Sequence, residues 1–140
     1  MIAVLDTNHF REFVEASASG RRLLRRIEKE KVDVFVCIVG VEESVQGWLS
    51  LLNKRKAGRD QLLVYARFQR DTEALLKFAI LPFDDEAATY FERLRVELPR
   101  AGSMDLKIAS ICLAHDAILL SRNQRDFEKV PGLKTENWLD

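Results

Sequence analysis

The chain has 140 residues, 47% apolar and 31% charged, a size and balance that suit one domain with its own core. Its 22 basic and 22 acidic side chains cancel, which excludes recruitment to nucleic acid by overall charge and leaves that task to local patches. Cys37 and Cys112, the two cysteines, sit inside apolar runs, which argues against a disulfide framework or a zinc site and for free thiols in a reducing cytoplasm.

Ile2-Ala3-Val4-Leu5 is a short apolar run without alternation, the pattern of a strand buried on both faces inside a parallel sheet. The run stops at Asp6, so a carboxylate stands at the carboxyl end of a central strand, where open α/β sheets put their ligand sites. Thr7 and Asn8 follow, two polar side chains able to cap a helix and to face the same spot. Simple helix capping by Asp6 is the competing reading. The start of the chain has no basic leader and no cleavage signal, and no apolar run reaches membrane length; a soluble protein without a membrane partner is expected.

A short helix is predicted over 9–16, broken by Ser17, Ser19 and Gly20. A second follows over about 21–31, with Leu23, Leu24 and Ile27 on one side and Arg21, Arg22, Arg25 and Arg26 elsewhere. The β-branched stretch 32–38 is a second strand. A helix over about 39–54 aligns Val41, Val45, Trp48, Leu49 and Leu52. A charged turn at 54–60 leads into a helix over about 61–77, giving a helical hairpin over about 39–77.

Residues 78–83 are a third strand, stopped by Pro82. Asp84-Asp85 opens an amphipathic helix with Ala87, Phe91, Leu94 and Leu98 inward, ending near Pro99 and Gly102. The next helix starts at Ser103 and is apolar around most of its axis, hence buried. Residues 117–121 are a fourth strand, 123–127 a loop or single turn, and 134–137 a short last strand. Strands separated by helices make an α/β fold, a central parallel sheet of four to five strands with helices on both faces in one domain over 1–140.

Parallel strands deliver their carboxyl ends to one edge. Asp6 ends the first strand, Glu43 lies in the first turns of the helix after the second, Asp105 opens the buried helix, and Asp126 follows the fourth strand. Four carboxylates from distant positions can thus gather at one rim. Like charges so placed raise each other's pKa unless a cation neutralises them. All-oxygen donors suit Mg2+ or Mn2+ rather than zinc, and such a cluster typically grips a phosphate oxygen and activates water. Each acid also has an ordinary structural role open to it: helix-start charge for Asp105, a turn cap for Asp126, a solvated helix position for Glu43. Glu42 competes with Glu43, since helical phase puts Glu42 nearer the apolar face.

With Leu5-Asp6-Thr7-Asn8, Glu43-Ser44-Val45-Gln46-Gly47, Asp105-Leu106-Lys107-Ile108-Ala109 and Ser121-Arg122-Asn123-Gln124-Arg125-Asp126-Phe127 in order, the chain resembles the PIN-domain ribonucleases. It is most similar to the VapC toxins of type II toxin–antitoxin systems. The resemblance spans the whole chain and extends to the tail Val130-Pro131-Gly132-Leu133 and Glu136-Asn137-Trp138. It implies a PIN-like fold and a metal-dependent cytoplasmic endoribonuclease. It also implies a cognate antitoxin that blocks the site, and homodimers. The family's acidic quartet carries over to Asp6, Glu43, Asp105 and Asp126, with Thr7, Asn8 and Asn123 as polar supports. The family's acid four before the glycine picks Glu43 over Glu42. Asp126 would act on a second ion or its waters.

Arg21, Arg22, Arg25 and Arg26, with Lys54 and Arg55, are the candidates for RNA-backbone contact, against a default of solvated helix faces. His9 and His115 have no paired ligand spacing and suit packing. Asp84-Asp85 does not make a phospho-receiver, which needs its acid pair after the first strand, and Asn8 stands where a dehalogenase-like phosphatase wants a second Asp. A PIN nuclease of RNA processing outside a toxin pair, and a PIN-fold module that binds without cutting, are the alternatives.

Overall fold

The computed structural model describes every residue from Met1 to Asp140. Five parallel strands form one sheet: β1 (Ile2–Leu5), β2 (Asp33–Cys37), β3 (Ala79–Leu81), β4 (Ile118–Leu120) and β5 (Lys134–Glu136). Their spatial order is β3-β2-β1-β4-β5. The helices between them are α1 (Thr7–Glu15), α2 (Ala18–Glu30), α3 (Ile38–Asn53), α4 (Leu62–Leu75), α5 (Asp85–Glu97), α6 (Ser103–Ala114) and the short α7 (Gln124–Phe127). The chain runs outward from β1 to β2 and β3, then returns to add β4 and β5 on the other side. That reversal makes the carboxyl edge between β1 and β4 the topological switch point.

The unalternating β1 is buried on both faces, as its composition demands. Val4 packs into a layer with Leu81, Ala87, Leu94, Ile108, Ile111 and Leu119 beneath α5 and α6. Ala3 and Leu5 point the other way, into a layer with Phe10, Leu23, Ile27, Val36 and Leu120 beneath α1 and α2. Each fully buried Leu or Ile contributes roughly 1.5–3 kcal/mol relative to exposure, so the two layers clamp β1 in register. β1 pairs with β2 through Ile2 opposite Asp33 and with β4 through Leu5 opposite Leu120. The Leu5–Leu120 pairing brings the next residues, Asp6 and Ser121, side by side at the edge.

Helix boundaries depart from the sequence reading in instructive places. The first helix starts at Thr7 rather than at residue 9. Ser19 and Gly20 do not break the chain; they lie in the first turn of α2, which Ser17 caps by accepting from the Gly20 amide at 3.0 Å. Gly20 serves packing instead. A Cβ there would stand 1.9 Å from the Glu12 carbonyl oxygen, so only glycine lets α1 and α2 approach so closely. Asp84 caps α5 through the Ala87 amide at 3.0 Å, as helix-start charge should.

The helical hairpin is formed by α3 and α4, joined through a 3-10 turn at Arg59–Gln61. The aligned apolar face of α3 is only partly covered: Leu52 is buried, Val41, Val45 and Trp48 are half-buried, and Leu49 is exposed. Trp48 stacks on Phe68 and donates to Asp71 at 2.9 Å, tying the two helices together. Leu51, Leu62, Leu63, Tyr65 and Leu76 are also exposed on this hairpin. Both cysteines are free and buried. No helix is long and apolar enough to cross a membrane.

Candidate active site

Asp6 leaves β1 with its backbone amide still held by the Leu120 carbonyl at 3.0 Å. It occupies the N-cap position of α1, yet its side chain makes no capping bond. The carboxylate turns instead toward β4 and accepts from the Ser121 hydroxyl at 2.8 Å. Plain helix capping therefore does not explain this acid. Ser121 is fully buried, and its oxygen also accepts from the Asn123 amide at 3.0 Å, which fixes the start of the loop carrying Asp126. Ser121 was not among the expected site residues. The signal was present, though: a polar residue ends the apolar fourth strand just as Asp6 ends the first.

Thr7, in the first turn of α1, donates its hydroxyl to Glu43 on α3 at 2.5 Å. Glu43 is half-buried while Glu42 is exposed, so the helix turns Glu43 toward the rim and Glu42 away. Asn123 donates its side-chain amide to Asp126 at 3.1 Å. Asp126 is itself exposed, on α7. Asn8 is exposed and lies outside this hydrogen-bond set.

Asp105 differs from the other three acids. It sits half-buried in the first turn of α6, and no hydroxyl or amide is directed at it as at the others. Its carboxyl is held above the usual range, first by burial and then by the negative charges of Asp6, Asp126 and Glu43. The same field reaches the Cys37 thiol below the rim. Burial is the main cause that pushes it up to about 11, with Asp6 and Glu43 adding to the effect. That thiol is protonated at neutral pH and caps α3 through the Gly40 amide, so it is no nucleophile.

The four acids thus share one electrostatic site, drawn from β1, α3, α6 and α7. They do not form a closed cage: no three His, Cys, Asp or Glu side chains are placed to hold a metal ion as they stand. The physical reason is visible in the bonds. Asp6, Glu43 and Asp126 each accept from a neutral donor instead, Ser121, Thr7 and Asn123 respectively. The donor set still fits a hard divalent cation in its chemistry: it is all oxygen, and a cation would relieve the repulsion that raises the Asp105 pKa.

The basic candidates divide. Arg21 donates to the Ala16 carbonyl at 2.9 Å. Arg22 reaches the Leu139 carbonyl at 3.1 Å, and Arg26 lies 4.1 Å over the Trp138 ring while pairing with Glu30 and Glu136. Arg22 and Arg26 hold the carboxyl-terminal segment in place. Arg25 is exposed beside them, and Lys54 and Arg55 are exposed at the end of α3. His9 is fully buried, as a packing role requires. Its Nε2 accepts from the Trp138 amide at 3.0 Å, Nδ1 has no partner, and burial chiefly lowers its pKa from 6.5 to about 4.

The chain is thus a five-stranded parallel α/β protein with acids from four elements at its switch point. Residues 3–133 match the PIN domain family model, and the chain belongs to that family. Among curated relatives, a 69-residue stretch is 35% identical to Ribonuclease VapC2 of Haemophilus influenzae, covering 46% of this chain and 52% of that protein. A 63-residue stretch is 38% identical to the tRNA(fMet)-specific endonuclease VapC of Shigella flexneri, covering 42% and 48%. The chain therefore matches about half the length of these relatives. Over its whole length it is similar to a chain of VapBC2 from Rickettsia felis bound to a promoter DNA fragment. That similarity has a TM-score of 0.77, 26% identity and 99% coverage of both chains. A chain of VapBC-1 from nontypeable Haemophilus influenzae shares the fold, with a TM-score of 0.73, 17% identity and 100% coverage of both.

Proposed function

We propose that this chain is an endoribonuclease dependent on Mg2+ or Mn2+, and the toxin of a type II toxin–antitoxin pair. The observation that carries the reading is that Asp6, Glu43, Asp105 and Asp126 come from four elements at the switch point, with Asp6, Glu43 and Asp126 each set by a neutral donor; the raised Asp105 carboxyl agrees with it. Charge of one sign concentrated at a ligand-binding edge is costly unless a cation and a phosphate are meant to meet there. The ribonuclease names of its relatives point the same way.

Asp6, Glu43 and Asp105 would hold the ion, with Asp126 serving a second ion or bound waters. When present, the ion would supply Lewis-acid charge to a phosphate oxygen and make water nucleophilic at neutral pH. The chain's own neutral donors set the acids in place. Ser121 orients Asp6 from the β4 side, Thr7 orients Glu43, and Asn123 holds Asp126. No side chain needs to act as nucleophile. Attack of water on phosphorus with departure of the 3′ oxygen, which takes up a proton, leaves 5′-phosphate and 3′-hydroxyl ends. The test is cleavage of total RNA in Mg2+: Asp6→Asn should cut at least about 100-fold more slowly, and a chelator should abolish cutting. Cutting by Asp6→Asn at the parent rate overturns the assignment.

One observation favours a second reading. The acids are not set as a closed metal cage, which suits a PIN-fold protein that binds RNA or a partner without cutting. Binding of RNA or of a partner with no cleavage in Mg2+ or Mn2+ would select it. The partner reading, a cognate antitoxin and a homodimer in the cytoplasm, rests on the VapBC2 likeness and on the exposed leucines of the α3–α4 hairpin. Co-purification with the product of a neighbouring small gene tests the antitoxin, and light scattering tests the dimer. A nuclease that cuts but has no such neighbour would belong to RNA processing instead.

A further inference from the structure

Beside the acid rim lies a cleft of about 650 Å3, walled by the segment between α5 and α6 on one side and by α7 and the residues after it on the other. Asp105 and Asp126, two of the rim acids, are among its lining residues. Leu98, Pro99 and Ala101 supply apolar surface; Arg100, with the acidic Glu97, lines the α5–α6 side, and Lys129 lines the α7 side. Both of those cations are exposed, and neither is among the ion-paired basic residues of the fold, unlike Arg22 or Arg26. The volume falls within the range of about 300–1,000 Å3 typical of small-ligand sites.

We propose that this cleft seats one splayed nucleotide of single-stranded RNA next to the phosphate that is cut, with Arg100 and Lys129 on the flanking phosphates. The inference rests on the nuclease reading above and deepens it by naming where the substrate strand lies. Three features select this occupant. Asp105 and Asp126 line the cleft, so a ligand there would share with them a divalent cation, as a phosphodiester oxygen can. The wall is apolar, which suits the face of a base. Each wall carries one exposed cation, Arg100 on one and Lys129 on the other, which suits a backbone passing between them. Single-stranded RNA is recognised by this combination of a splayed base and backbone cations. An acidic peptide could pair with Arg100 and Lys129 but would be repelled by Glu97, Asp105 and Asp126.

The test is fluorescence anisotropy of a labelled ten-nucleotide single-stranded RNA across a salt series. Ca2+ replaces Mg2+ as an ion of looser geometry that favours binding over cutting. The double variant Arg100→Gln/Lys129→Gln should bind roughly tenfold more weakly, and its log-affinity slope against log salt should shrink by about 1.4, two contacts at about 0.7 each. Arg100→Lys should keep the slope. Arg95→Gln/Lys77→Gln, which removes two exposed cations outside the cleft, should leave both quantities unchanged. An RNA lacking one base, scanned along the strand, should lose about tenfold at a single position. An unchanged slope in the Arg100/Lys129 pair, or an equal change in the control pair, overturns the proposal. If the parent still cuts RNA in Mg2+, the nuclease reading survives that result and the cleft is left to a protein chain. A parent that neither binds nor cuts sinks both.

Discussion

Asp105 and His9 are two titratable groups withdrawn from water at the same end of the sheet, and their fates diverge. Burial alone accounts for most of what happens to His9: the neutral ring is favoured, its pKa falls to about 4, and Nε2 takes one backbone amide. Asp105 is less deeply placed, yet it is surrounded by three further acids that add to burial in raising its pKa. The neutral ring is the form that burial favours, at the cost of one unpartnered Nδ1. A carboxylate among carboxylates is held against its own electrostatics. The first arrangement stabilises a fold, while the second sacrifices stability at a place where a cation would restore it.

Mutations can break this contrast in opposite directions. The largest effect should come from Asp105→Asn, expected to slow RNA cleavage by about 100–1,000-fold in gel assays. The same change should raise the urea midpoint in the presence of a chelator, because it removes one charge from the repelling set. A lowered midpoint would count against the like-charge account. His9→Ala should do the reverse. It should cost about 2–4 kcal/mol of stability by urea unfolding, from a lost buried ring and an orphaned Trp138 amide, while the protein that remains folded still cuts.

The pH dependence sharpens the pair. A basic group whose folded pKa is lowered from 6.5 to about 4 favours the folded state above the unfolded value, and that advantage is lost as pH falls through the window. The stability difference between the parent and His9→Gln should therefore shrink as pH drops from 6.5 to 4, by roughly 2–3 kcal/mol. Asp105 has the opposite sign. Its raised pKa makes the folded state bind its proton more tightly, so its contribution to stability falls as pH rises from the ordinary carboxyl value through the raised one. The smallest effect is expected for Ser121→Ala. It frees Asp6 and the Asn123 amide but leaves every charge, so cleavage should fall about tenfold with about 1 kcal/mol of lost stability.

Much of this was readable from the chain. The unalternating Ile2–Leu5 run, the β-branched second strand and the helical periodicity between strands specify a parallel α/β sheet, because both faces of each central strand must be covered. Order along the chain also delivers Asp6, Glu43, Asp105 and Asp126 to one edge. Helix phase alone misled at Glu42, which is exposed, because the apolar face of α3 is itself only half covered. Gly20 looked like a break for a similar reason: local propensity cannot register that α1 passes within contact of that position.

The amino-acid order by itself determined which residues could meet, since strand direction and crossover handedness leave few topologies. Tertiary structure alone decided how they meet. The pairing of Leu5 with Leu120 sets Ser121 against Asp6, the turn of α3 selects Glu43, and the gap between α5 and α7 opens a cleft lined by Arg100 and Lys129. These are contacts between residues up to 115 positions apart. Side-chain orientation at such separations is set by packing, which no local pattern encodes.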